Sequence, residues 1–591
     1  MYNMTNIIKN EIKILLEKVG VKDSVEFSTP PKPEMGDLAF PCFEIAKQEG
    51  KSPVEVAKEV VENLKLEIRN LKLIENIKAF GPYVNFFLNT SEIARLVFEN
   101  NISAENVGKD KKVLIEYPSQ NTHKEFHIGH LRNVCIGNTI VKLYRESGFD
   151  ITPMNYVNDF GRHVVKSLWG IENGSKFGVQ RSEIDNAENK QKMLGEIYAK
   201  ANTYIEENKE DITPELDELQ SKLESRDPEV TKLFEETKGW STEGFKDLMD
   251  ELKTEHDSII YESEVKGRGQ EIVDELLSKK IAEEGERGAI IVDLSKDNLD
   301  IALLRKSTGG GVYMTSDLAL AERKFGQYSV EESINITGTE QDHYFKQLFR
   351  VLNLNGFTHK MTHVGYGLVN LPSGKMSSRA GNVILYEDLR DEVFSHLYKE
   401  TKARHEDSSS ASSYAKASDD KKASADKWSE KKIEETTQVL TMASLKFTMQ
   451  KHESNKIITF DMNEAVSFDG YSAPYILYVV ARINSLLRDG KYVENDILYD
   501  VLCEQEEKQL LMLVADYGGV VKNALESYNP STITRYCFDL AKSFNDFYNK
   551  HSVLNASSPD LVQARLKLCA LVSGTLKKSL DLLTIDTVEE M

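Results

Sequence analysis

Cysteine, tryptophan and long apolar runs are all scarce in this chain of 591 residues, and basic charge is in deficit. The 5 cysteines (Cys42, Cys135, Cys503, Cys537 and Cys569) are scattered, without the paired spacing of a metal site or a disulfide framework. Reduced, buried thiols in the cytoplasm are the simplest account. No apolar run approaches the roughly 20 residues that span a bilayer. The opening "MYNMTNIIKNEIKILLEKVG" mixes lysine and glutamate among Ile8, Ile12, Leu15, Leu16 and Val19 at helical spacing, so it is an amphipathic helix and not a signal peptide. A net charge of −21 excludes less. Net charge governs solubility and steering, whereas nucleic-acid binding depends on where basic residues cluster, so an acidic chain can still carry a positive face.

A chain this long exceeds one core, and about two to four domains are expected. Residues 1–105 form a small α+β unit, with the "STPPKPEMGDLAFP" loop and "GPYVNFFLN" as a strand. Residues 106–400 alternate strands and helices. "KKVLIEY" is a strand, "HLRNVCIGNTIVKLYRESG" a helix that stops at Gly148, and "ITPMNYV" a second strand, which makes a β-α-β unit. A charged helical insertion follows at about 180–285, then the strands "GAIIVDL", "SINITGT" and "HVGYGLVNL", with a helix at Asp342–Asn353. This pattern predicts an α/β fold with a mainly parallel, doubly wound sheet and ligands at the carboxyl ends of its strands. Residues 401–432 are a low-complexity linker, with "KASDDK" and "KASADK" as near-copies and a serine-rich composition suited to a solvated tether. From 433 to 591 the pattern is helical throughout.

Two stretches carry chemistry. In "NTHKEFHIGHLRN" (121–133), His127 and His130 share one face of the first turn of a helix. Unpaired N–H groups and the positive dipole end favour phosphate there. Gly129 leaves room for a base or ribose, and Lys124 adds a cation three residues upstream. Taken alone, such a pair is more often two satisfied surface histidines, and as a metal pair it lacks further ligands. In "LPSGKMSSRAGNVI" (371–384), a turn presents Lys375 between serines, which suits a triphosphate.

"HIGH" (127–130) with "KMSSR" (375–379) resembles the two signatures of class I aminoacyl-tRNA synthetases, and over nearly its whole length the chain is similar to the arginyl-tRNA synthetase family. "PPKPEMGDLAF" (30–40) and "GPYVNFFLN" (81–89) resemble that family's additional N-terminal domain, associated with the tRNA elbow. "GVYMTSDLA" (311–319), "GTEQDHYFKQLF" (338–349) and "KMSSRAGNVILYEDL" (375–389) resemble its catalytic core. "FDGYSAPYILYVVARINSLLR" (468–488) and "LDLLTIDTVEEM" (580–591) resemble its helical anticodon-binding domain. The resemblance implies ATP-dependent activation of L-arginine, transfer to the terminal ribose of its tRNA, and magnesium arriving with ATP without a dedicated protein site. It also implies a monomer and an adenylation step that itself depends on tRNA.

The family's site residues map onto this chain one by one. Glu116, Tyr313 and Asp317 match the positions that hold the guanidinium, Asn121 and Gln341 those near the α-amino group, and Ser119 and His127 line the same site. His127, Gly129, His130, Lys375, Met376 and Ser377 match the ATP-binding signatures, with His127, His130, Lys124 and Lys375 as the catalytic set. Residue chemistry agrees with arginine, since two carboxylates accept a planar fork that a lysine point charge would leave partly unpaired, at about 1–3 kcal/mol per buried group. Departures are Gln120 in place of the usual proline before Asn121, Glu125 where proline or alanine is usual, and Ser378-Arg379 where a second loop lysine would stand. Lys124 matches the position that compensates for that lysine. In the C-terminal part Tyr471, Tyr475, Tyr478, Arg482, Phe544, Phe547 and Tyr548 offer faces for unpaired bases, although aromatics at helical spacing are usually core. Tyr475 and Arg482 are the candidates for tRNA contact. Two alternatives stand beside this reading: a class I synthetase for another amino acid, and a catalytically inactive paralogue that binds tRNA or senses arginine.

Overall fold

In a computed structural model of the chain, residues 4–21, 26–67, 72–370, 384–406, 428–493 and 498–591 are described. Lys375, Met376 and Ser377, and all of the low-complexity stretch but its ends, lie outside the described residues.

The N-terminal helix Met4–Lys18 buries Ile8, Ile12, Leu15 and Leu16, the face its spacing foretells. It packs with Pro53–Glu67 near a three-stranded antiparallel sheet of Leu38–Pro41, Tyr83–Leu88 and Ile74–Phe80. The central sheet has five strands: β1 (Lys112–Glu116), β2 (Asp150–Val157), β3 (Ser258–Tyr261), β4 (Glu332–Gly338) and β5 (Lys360–Tyr366). Their spatial order is β5-β4-β1-β2-β3, every pairing parallel. All seven residues of β4 are buried, as a central parallel strand covered on both faces requires. The winding reverses between β1 and β4, so a crevice opens beyond their carboxyl ends. Around the sheet lie α1 (Ile128–Glu146), α2 (Glu262–Ser278), α3 (Tyr313–Tyr328) and α4 (Asp342–Leu354).

Two strand expectations change. The 180–285 region is not wholly helical, because β3 interrupts it as the fifth strand of the main sheet. "GAIIVDL" does form a strand, Ile290–Asp293, but it pairs antiparallel with Ile301–Arg305 and Glu283–Glu284 in a separate small sheet. Polar alternation in "SIIY" and "IIVD" does not distinguish these partners, since pairing is set by tertiary contacts.

Beyond the sheet come α5 (Tyr386–Glu406), α6 (Glu430–Gln450), α7 (Ala473–Asp489), α8 (Tyr517–Ser527) and α9 (Ser531–Lys550), together with Gln505–Ala515 and Pro559–Leu582. One short strand, Ile458–Thr459, breaks the expected all-helical pattern and pairs parallel with Val369–Asn370. α5 and α6 are joined across the low-complexity stretch: Tyr398 donates to Glu430 at 3.1 Å, and the His405 and Trp428 rings stack at 3.8 Å. The N-terminal unit meets the C-terminal helices through Lys508 and Asp37, 2.7 Å apart and largely buried. Of the cysteines, Cys503 is exposed and the other four are buried and free. Among the described residues no helix is long and apolar enough to cross a membrane.

Candidate active site

The β1–α1 connection builds the first half of the site. His127 is the N-cap of α1. Its Nδ1 accepts the Gly129 N–H at 3.1 Å, while its own N–H donates to His130 Nδ1 at 3.3 Å. The two imidazoles stack with centroids 3.8 Å apart. With both Nδ1 atoms accepting, each ring carries its proton on Nε2, and that N–H is left as a donor. Burial pushes His127 down to about 4, assisted by Lys124, and lowers His130 well below the usual histidine range, assisted by His127 and Lys124. The pair is therefore neutral at pH 7 and acts through polarised N–H groups at a helix N-terminus. Lys124 lies over the Tyr198 ring at 5.3 Å, and burial first, then Lys166, lowers its pKa. Glu125 packs so closely on α-helical Gly195 that a Cβ there would lie 2.0 Å from it, and burial with Glu196 raises its carboxyl to about 7.

The second half lies beyond the ends of β1, β2 and β3. Asp317, on the second turn of α3, keeps an accessible face and accepts the Tyr344 hydroxyl. Burial raises its carboxyl to about 7; the Tyr344 bond opposes the rise, Glu116 adds to it and Lys324 opposes it. Glu262, the first residue of α2, accepts from Ser316 Oγ at 3.3 Å and is raised to about 7 by burial and then by Asp317. Tyr313 is 62% exposed and hydrogen-bonds to Asn158 at the end of β2. Asn121 forms an isolated bridge to Asn158, Gln341 is the N-cap residue of α4 directly after β4, and Ser119 Oγ lies 3.4 Å from Glu116. Contacts thus link Ser119 to Glu116, Glu116 to Asp317, and Asn121 and Tyr313 to Asn158, while His127 and Gln341 stand at the starts of the helices that follow β1 and β4.

One member of the expected carboxylate pair differs. Glu116 is 4% exposed and ion-paired with Lys324, itself 1% exposed on α3. Among the described residues of this half, Asp317 and Glu262 keep partly accessible carboxyls and form no ion pair. Buried Glu262 Oε2 and Asn158 Oδ1 also have no hydrogen-bond partner. Both are acceptors, which suits a ligand that brings only donors, and a guanidinium has five N–H donors and no acceptor. Glu262, Lys324, Tyr344 and Asn158 escape a reading of sequence: Glu262 follows a four-residue strand hidden in a charged helical region, and Lys324 reads as an ordinary surface lysine. Only Asn158, at the end of a clear strand, carried a usable signal.

In the helical part, Arg482 on α7 donates to Tyr478 at 2.8 Å and lies 4.8 Å from the Tyr478 ring and 5.2 Å from that of Tyr548. Asn545 donates to Tyr475 at 2.9 Å. Both Tyr475 and Arg482 keep partly exposed faces, whereas Phe544 and Phe547 are fully buried and belong to the core, as helical spacing favours.

Residues 92–436 match the family model for tRNA synthetases class I (R), catalytic domain; 476–591 match the DALR anticodon binding domain, and 3–88 the arginyl tRNA synthetase N terminal domain. The chain is 32% identical to an arginine–tRNA ligase of Clostridium beijerinckii over 100% of this chain and 99% of that protein. It is 33% identical to one of Clostridium acetobutylicum over 95% of each. Its fold is similar to that of Thermus thermophilus arginyl-tRNA synthetase, with TM-score 0.81, 24% identity and full coverage of both chains. The arginyl-tRNA synthetase of Plasmodium falciparum gives TM-score 0.76 at 19% identity over 99% of each chain.

Proposed function

The chain belongs to the arginyl-tRNA synthetase family and is a class I arginine–tRNA ligase, and we propose the following division of the reaction among its residues. ATP and arginine combine to arginyl-adenylate with release of pyrophosphate, and the arginyl group then passes to the terminal ribose of tRNA. The arginine guanidinium lies against Asp317 and Glu262, with Tyr313 over it and Glu116 beneath, held in place by Lys324. Asn121, Ser119 and Gln341 face the α-amino end. His127 and His130 donate Nε2–H to the α-phosphate oxygens as charge develops on them, and Gly129 admits the adenosine. Lys124 and Lys375 neutralise the departing pyrophosphate, and Met376 and Ser377 of the second signature take part in binding ATP.

No side chain forms a covalent intermediate, so the rate enhancement comes from alignment and charge stabilisation. His127, His130 and Lys124 at the α1 N-terminus are N–H donors and a cation, which suit phosphate oxygens and not a metal ion. Magnesium would therefore be carried by phosphate oxygens and water, as is usual for this ion. The N-terminal unit takes the tRNA elbow, and the helical part takes the anticodon, with Tyr475 and Arg482 in contact. The enzyme acts as a cytoplasmic monomer.

The observation that supports this reading is the adjacency, at one sheet crevice, of accessible unneutralised carboxylates and a helix turn bearing two Nε2–H donors. Charging assays on purified tRNA with arginine, lysine and citrulline test it. Arginine alone should be esterified; citrulline charged as well as arginine would overturn the assignment, because it is a near-isostere without the positive charge.

A further inference from the structure

Two residues past His130, α1 carries a buried guanidinium that the chemistry above does not use. Arg132 is 0% exposed. Its Nη1 donates to the carbonyls of Gly367 at 2.5 Å, Leu368 at 3.3 Å and Lys456 at 2.7 Å, and its Nη2 to those of Glu453 at 3.3 Å and Ser454 at 3.1 Å. These five acceptors belong to two segments. Gly367 and Leu368 follow the carboxyl end of β5. Residues 453–456 form the joint between α6 and the remaining C-terminal helices.

The two segments are also stitched to each other. Gly367 N–H donates to Ser454 O at 2.9 Å, Ile458 N–H to Leu368 O at 2.9 Å and Phe460 N–H to Asn370 O at 2.8 Å. A Cβ on Gly367 would lie 2.2 Å from Lys456 O, so the backbones approach as closely as glycine permits. Ser454 Oγ in turn donates to the Tyr528 carbonyl at 3.2 Å, where α8 ends. A cleft of about 560 Å³ also borders the joint, lined by Asp342, His363, Glu453, Ser454, Asn455 and Asn529 among others. The joint is therefore held by one guanidinium and bordered by open space. Arg132 makes none of these hydrogen bonds to α2 or α3, which carry Glu262 and Asp317.

We propose that Arg132 is a positioning residue for the nucleotide half of the site, holding the C-terminal joint and the exit of β5 at a set distance from the helix turn that carries His127 and His130. A displacement of the C-terminal helices then reaches the ATP half through Arg132 and leaves the arginine half in place. Only a guanidinium can serve, because its planar fork spreads donors over carbonyls from two directions, whereas an ammonium gathers three at one point.

The inference rests on the functional reading above, and the test separates the two. Pyrophosphate exchange in the presence of tRNA is measured for the full chain and for R132K and R132M, together with melting midpoints. KM for ATP should rise at least tenfold and kcat should fall, with KM for arginine within twofold of the parent and R132M worse than R132K. A purely structural role would move both KM values together, and that result, or an unchanged KM for ATP, overturns the proposal. Should both variants fail to fold, S454A keeps Arg132 and cuts only the tie to Tyr528. Its KM for ATP should then rise at least threefold at saturating tRNA with unchanged tRNA affinity, and an unmoved KM for ATP overturns the proposal. If the parent chain itself does not exchange pyrophosphate with arginine, the functional reading fails instead.

Discussion

At the end of the crevice proposed for arginine, burial pushes two carboxyls up, Asp317 and Glu262 each to about 7. At the end proposed for the nucleotide, burial pushes the two imidazoles down, His127 to about 4 and His130 well below the usual histidine range. Desolvation is the first cause in all four, and it acts oppositely on the two because it always disfavours the charged form. The ends therefore wait differently. The carboxylates are poised to ionise when a cation arrives, whereas the imidazoles stay neutral and offer fixed N–H dipoles to an anion that brings its own charge. Lys324 marks the limit of the contrast: beside the buried Glu116 carboxylate the fold supplies an internal cation.

The strongest test of this contrast is to remove one member at each end. D317N should raise KM for arginine by roughly 30- to 1000-fold, about 2–4 kcal/mol, with KM for ATP nearly unchanged, because an amide leaves the guanidinium facing a donor. H130A should instead lower kcat by about 10²–10³ with little change in KM for arginine, as loss of a donor to developing phosphate charge does. Steady-state exchange kinetics on the two variants distinguish these patterns, and a shared pattern would erase the distinction between the ends.

A subtler effect is expected from pH. Both carboxyls have folded-state pKa values above those of the unfolded chain, so the empty enzyme binds more protons than the unfolded state between about pH 4.5 and 7. Their contribution to stability therefore falls as pH rises through that window. Arginine, which requires the ionised forms, should bind more tightly from pH 6 to 8 and level off above. Calorimetry in buffers of different ionisation enthalpy should show protons released on binding near pH 7. Flat affinity across the range would mean that the carboxylates are already ionised. E262Q should flatten this profile while leaving part of the affinity.

The smallest effect concerns the stretch between α5 and α6. With Tyr398 bonded to Glu430 and His405 stacked on Trp428, the helix ends are already fastened to each other. Deleting 408–427 should leave charging within a few-fold and the melting midpoint within a few degrees, checked by aminoacylation and thermal unfolding. A collapse of activity would show that the stretch takes part in the reaction.

Much of this protein can be read from its sequence. Stretches such as "KVLIE" followed by "HIGHLRN" specify a strand, a helix start and a donor-rich turn through local periodicity and capping, and local rules suffice because the interacting residues are neighbours in the chain. Asp317 could be found too, since it stands in a stretch whose order matches a family. Tertiary structure alone decided the rest. It hid Glu262 behind a four-residue strand, made a buried partner of Lys324, and spread the donors of Arg132 over carbonyls more than 230 residues away. Burial, charge balance and backbone hydrogen bonds over such separations depend on which surfaces the fold brings together, and no spacing along the chain encodes them.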